Sequence, residues 1–141
     1  MKSKYLVATL LAATALTNAA YAADPEVTHW WTSGGEAAAV AEMAKAFDAS
    51  GDKWIDGAIS GSGGPARPII ISRIPGGDPM GATQLNHGQQ AKALIEAGLF
   101  QDLTDVATAE GWKDIVNPIS LLDACTFERI ISCMPVTIHS A

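Results

Sequence analysis

Glu26-Val27-Thr28-His29-Trp30-Trp31-Thr32-Ser33-Gly34-Gly35-Glu36 is the stretch on which the fold of this chain turns. Its first six residues are largely β-branched or aromatic, which predicts a strand. Period-two alternation sends Val27, His29 and Trp31 to one face and Thr28 and Trp30 to the other. A helix is expected directly afterwards. Ser33 with Glu36 three residues later reads as a capping box, and Val40, Met43, Ala44 and Phe47 repeat at helical spacing up to Gly51.

Outward from this unit the same alternation continues. Lys53 to Ser60 reads as a second strand and Gly61-Ser62-Gly63-Gly64 as a loop. Pro65 or Pro68 then opens a helix through Ile69, Ile70 and Ile74 that stops at Gly76-Gly77. Ala82 to Leu85 predicts a third strand, followed by a helix from about Gln89 to Ala97 with Gly98 in the favoured C′ position. Thr104 or Asp105 caps a further helical stretch toward Trp112. Beyond Pro118 the pattern reads as a helix end over Ile119 to Cys125 and a β-hairpin over Ile130 to Val136. Strands alternating with helices imply an α/β layer structure with a largely parallel sheet.

Composition narrows the function. With 9 Lys and Arg against 15 Asp and Glu, a formal charge of −6 and 48% hydrophobic residues, the chain describes one globular domain. It has no basic stripe to neutralise phosphates, so nucleic acid and anionic membranes are excluded as expected partners. Lys2 and Lys4 precede an apolar run from Tyr5 to Leu16 that is too short to span a bilayer. The A-x-A box Ala20-Tyr21-Ala22 follows, so residues 1–22 are expected to be a cleavable signal peptide and residues 23–141 the exported, still more acidic domain.

Cys125 and Cys133 fall in the last quarter of the chain, where an oxidising compartment permits a disulfide and Phe127-Glu128-Arg129 provides a hairpin turn between them. Two unpaired core thiols are the alternative. Their spacing, with no nearby His pair, lacks a zinc pattern. Gly61-x-Gly63-x-x-Ala66 formally matches a dinucleotide fingerprint, but Pro65 and Pro68 stand where backbone amides should meet pyrophosphate. His29, His87 and His139 are scattered, and neither H-E-x-x-H nor G-x-S-x-G occurs, so no metal, cofactor or enzymatic activity is expected.

The pair Trp30-Trp31 is expected at the C-terminal end of the first strand, the edge at which open α/β sheets bind ligands. An indole face suits the C–H side of a sugar ring. Glu36, Gln84, Asn86 and His87 are polar groups that would take its hydroxyls. Core packing of the tryptophans and a capping role for Glu36 are the competing assignments.

Taken together, His29-Trp30-Trp31-Thr32-Ser33-Gly34-Gly35-Glu36, Gly76-Gly77-Asp78-Pro79, Glu110-Gly111-Trp112 and Pro135-Val136-Thr137-Ile138-His139-Ser140 resemble the periplasmic sugar-binding proteins of ABC importers. The likeness is to the glucose/mannose-type branch of the extracellular solute-binding family. Gly98-Leu99-Phe100-Gln101-Asp102-Leu103-Thr104 marks the wider superfamily. The resemblance implies a type II periplasmic-binding-protein-like fold, of which residues 23–141 would be the N-terminal lobe, incomplete without the second. It further implies a monosaccharide ligand such as glucose or mannose, delivery to ABC permease subunits in the inner membrane, and no cofactor. By the same resemblance Trp30, Trp31, Glu36, Gln84 and His87 would line the cleft, with Asn86 beside them and His139 near the crossover between lobes. Phe127-Glu128-Arg129 departs from the family's usual Asp-Gly-Lys turn, and Pro68 falls in a usually uninterrupted helix. The alternative reading is a non-binding truncated remnant, or a short exported interaction protein retaining one lobe.

Overall fold

The computed structural model describes residues 24–86 and 89–136; the expected signal segment, residues 1–22, lies outside the described residues. Three parallel strands form the sheet: β1 (Glu26–His29) lies between β2 (Ile55–Ala58) and β3 (Ala82–Thr83). In register, Thr28 faces Gly57 on one side and Thr83 on the other, and Thr28 is wholly buried. Helix α1 (Gly34–Asp48) connects β1 to β2, and α2 (Gly63–Arg73) connects β2 to β3. Parallel neighbours require such crossovers, so the mixed α/β architecture follows from the alternation of periods in the sequence.

The first strand is shorter than the sequence suggests. It ends at His29 because the next backbone N–H, that of Trp30, is donated to the side-chain Oε1 of Gln84 at 3.0 Å rather than to a neighbouring strand. The expected capping box is not formed either. Ser33 makes no side-chain cap bond; its carbonyl instead accepts the Ala37 N–H at 3.3 Å, and Gly34 enters the helix at φ +58°. A left-handed first residue suits glycine and changes the entry angle that the reciprocal side-chain cap needs.

Helix α2 starts at Gly63, so Pro65 falls in the first turn, where a missing N–H costs nothing. Pro68 lies inside the helix on its exposed side, while Ala66 and Ile70, four residues apart, are completely buried. Helix α3 (Gln89–Glu96) closes through Gly98 at φ +68°, with N–H bonds from Gly98 to Ile95 and from Leu99 to Leu94. These paired bonds satisfy the last carbonyls of the helix.

The last third packs around a hydrophobic cluster of its own. Helix α4 (Thr104–Ala109) is capped by Asp102, whose carboxylate accepts the Thr104 N–H at 2.8 Å; this bond and the Thr104 hydroxyl hold the Asp102 carboxyl below its usual range. Trp112 does not end this helix as expected. Gly111 at φ +63° breaks it, and Trp112 opens α5 (Trp112–Ile115). There the indole packs with Ala107, Leu122 and Ile131, with Leu103 and Val116 against them. After α6 (Ser120–Ala124), β4 (Thr126–Phe127) and β5 (Ile130–Ile131) form an antiparallel hairpin. It is bound to α4 by the Leu103 N–H to the Ile131 carbonyl at 2.8 Å and the Ile131 N–H to the Thr104 hydroxyl at 3.0 Å. A disulfide joins Cys125 to Cys133 across its base.

Candidate functional site

The carboxyl ends of β1, β2 and β3 converge on one edge of the sheet, where the backbone has no further strand residues to pair with and ligands of such sheets bind. After β1 come Trp30 and, in the first turn of α1, the exposed carboxylate of Glu36. After β2 comes the loop to Gly63. After β3 come Gln84 and Asn86, both half-buried.

Trp30 is held from two sides. Its N–H is fixed by Gln84, and its ring lies so close to α2 that a Cβ built on Gly63 would stand 3.2 Å from the Trp30 Cε2. Glycine at 63 is what admits the indole; the sequence marked Gly63 only as part of a glycine-rich loop, and the bond that ties β1 to β3 left no mark in it. Gln84 is itself anchored by its own N–H to the Thr28 carbonyl at 2.8 Å. With its Oε1 accepting from Trp30, its amide NH₂ still carries two donors. Indole, carboxylate and two amides therefore sit around one edge.

Trp31 departs from this arrangement. It is 7% exposed and faces the opposite side of the sheet, together with Val27 and His29, where it lines an interior groove of about 820 Å³. The alternation foreseen in the sequence is present, and it separates the two tryptophans instead of pairing them at the edge. Two other expected ligand contacts, Gln84 and Asn86, line the same groove, whereas Trp30 and Glu36 do not. His87 and His139, the remaining expected ligand contacts, lie outside the described residues.

His29, also buried, brings its Nε2 to 2.6 Å from the Asp56 carboxylate on β2. Its Nδ1, the Nε1 of Trp31 and the Nε1 of Trp54 are buried without a hydrogen-bond partner among the described residues. At the other end of the strand, Arg73 donates from Nη1 and Nη2 to the two oxygens of Glu26, each at 2.7 Å, and from Nε to Asp78 at 2.8 Å. The guanidinium holds the Glu26 carboxyl below the usual carboxylate range, and the two acids push Arg73 further up. This triad fastens the end of α2 to the start of β1, opposite the edge that carries Trp30. Among the described residues, no three His, Cys, Asp or Glu side chains converge to hold a metal, and no helix is long and apolar enough to cross a membrane.

No protein-family model matches the chain. Curated proteins do. A probable sugar-binding periplasmic protein of Rhizobium meliloti (strain 1021) is 35% identical over 141 residues, which cover 99% of this chain and 33% of that protein. Another of that description, from Brucella melitensis biotype 1, is 33% identical over 89% of this chain and 30% of its own length. An uncharacterized ABC transporter extracellular-binding protein of Pyrococcus horikoshii is 27% identical over 82% of this chain and 26% of its own. The chain is thus a homologue, along nearly its whole length, of proteins described as periplasmic sugar-binding proteins, and it spans about a third of the length of these relatives.

Proposed function

We propose that residues 23–141 form the N-terminal lobe of a type II periplasmic receptor that binds a monosaccharide, glucose or mannose, for an ABC importer. Residues 1–22 serve as the signal peptide that exports it to the periplasm, and permease subunits in the inner membrane receive the loaded receptor. The role is binding, with no catalytic step and no cofactor. The single observation that carries this reading is the carboxyl-terminal edge of the sheet, where the Trp30 N–H is fixed by Gln84 and the Trp30 ring lies against Gly63, with Glu36 and Asn86 on the segments that leave the same edge. An indole offers an apolar face to a sugar ring, and the carboxylate and amides take its hydroxyls in charge-assisted and neutral hydrogen bonds. His87 and His139 complete the proposed contacts, and Trp31 supports the wall behind them. Relatives described as sugar-binding and periplasmic support the ligand class and the compartment.

One lobe presents only one wall, so the proper test joins this chain to the part of the Rhizobium meliloti relative outside the matched region. Titration of that fusion with glucose and with mannose, followed by calorimetry, is expected to give saturable binding of one of them. Absence of heat with either sugar, from a fusion that unfolds cooperatively, would overturn the monosaccharide reading.

A further inference from the structure

Helix α2 carries two arginines, and the fold treats them differently. Arg73 gives its guanidinium to the carboxylates of Glu26 and Asp78. Arg67, earlier on the same helix and half-buried, forms no hydrogen bond or ion pair with any other described residue. Its position makes the missing partner informative. The Arg67 Nη1 stands 3.4 Å, and the Trp30 Cε2 3.2 Å, from the point where a Cβ on Gly63 would lie, so guanidinium and indole flank the same glycine. That glycine opens α2 at the carboxyl-terminal edge of the sheet. The three segments that leave this edge, 30–36, 59–67 and 84–86, contain one basic residue, Arg67, and one acidic residue, Glu36. No ion pair joins the two, so neither neutralises the other.

A guanidinium beside an indole face, with no acid of its own, matches a ligand that brings the acid. Partial burial of an unpaired cation carries a desolvation cost, which a charge-assisted hydrogen bond offsets. The formal charge of −6 opposes any anion at long range, so the attraction is local, within about 10 Å at moderate ionic strength. One guanidinium balances one negative charge, and its planar fork fits both oxygens of a carboxylate. A phosphate dianion would leave a charge uncompensated at this edge. A neutral hexose would offer Arg67 only hydroxyl oxygens, which are weaker acceptors than an ionised group. A hexuronate brings an apolar ring face for Trp30, hydroxyls for Glu36 and a carboxylate for Arg67. We propose that Arg67 is a specificity-determining contact at the Trp30 edge and selects an acidic monosaccharide, a hexuronate, by pairing with its carboxylate. This role rests on the sugar-binding reading of that edge and narrows its ligand.

The test uses the 141-residue chain, isotope-labelled at its arginine and tryptophan nitrogens. Sodium glucuronate, glucose and sodium acetate are titrated separately at equal ionic strength while the side-chain N–H resonances are followed by NMR. Glucuronate is expected to move the Arg67 Nε–H and Trp30 Nε1–H signals with an affinity at least tenfold above those of glucose and acetate, and added sodium chloride is expected to reduce that margin. Arg67→Gln is expected to bring glucuronate down to the affinity of glucose while leaving glucose within a factor of two, and Arg67→Lys to retain part of the preference; an unchanged backbone amide spectrum verifies that both variants fold. Glucose binding with no preference for glucuronate overturns the role of Arg67 and leaves the sugar site standing. Equal affinity for glucuronate and acetate overturns the hexuronate assignment, and a preference that survives Arg67→Gln overturns the assignment of the residue. Absence of a response to either sugar overturns the proposal together with the sugar-binding reading.

Discussion

Trp30 and Trp31 are neighbours in sequence that differ in burial, Trp30 being half-buried and Trp31 7% exposed. In the fusion with the second lobe, Trp30→Ala is expected to weaken sugar binding more than tenfold, about 1.4 kcal/mol, measured by titration. Trp31→Ala is expected to act on folding instead, lowering stability by about 3 kcal/mol in urea denaturation of the same fusion while leaving affinity within a factor of two. The reverse assignment of the two effects would contradict the geometry. The alternation that separates them was legible in the sequence. Where the strand stops was not, because that depends on a side chain 54 positions away. Glu26 gives a residue-scale test of a different kind. Its carboxyl is depressed by Arg73, so the unfolded chain binds its proton more readily than the folded one. The associated stability is therefore present above the ordinary value of 4.5 and disappears as the pH falls below it. Melting temperatures of the chain and of Glu26→Gln should differ at neutral pH and converge as the pH falls below the ordinary carboxylate range. A gap that persists in acid would show that the carboxylate is not its source.

At the scale of elements, the hairpin shows strain where the sequence offers little relief. Glu128 and Arg129 take φ of +47° and +77°, the pair of left-handed conformations of a tight two-residue turn, normally filled by Asn and Gly. Arg129→Gly is accordingly expected to stabilise the chain by about 1 kcal/mol in urea denaturation. The disulfide below it closes a loop with a sequence separation of 8. The double substitution of Cys125 and Cys133 by Ala should cost about 2–3 kcal/mol, measured the same way. Most elements were visible as patterns, since α1, α2 and α3 have apolar spacing bounded by glycine. The break at Gly111 was not visible, because Trp112 suits helical spacing equally well as the last residue of one helix or the first of another. Only its packing against Ile131 of the hairpin decides between them.

For the molecule as a whole, the sequence pattern carried the alternation of strand and helix, and with it the parallel order of the sheet. Strand order and the groove arise from contacts between distant segments, which no local period records. In the proposed two-lobed receptor one wall alone excludes water incompletely, so residues 23–141 by themselves are expected to show no micromolar affinity for glucose by calorimetry. Tight binding by the isolated lobe would mean that one sheet edge suffices. The close approach of Trp30 to Gly63 bears on how that edge would evolve. A single methyl group at 63 meets the indole 3.2 Å away, so the ring must tilt or lift by a few tenths of an ångström. The height of the Trp30 ring, the platform in the proposed sugar site, is thus set from α2 by a residue that is not itself among the proposed contacts. Small side chains introduced there would retune sugar preference without altering any contacting group.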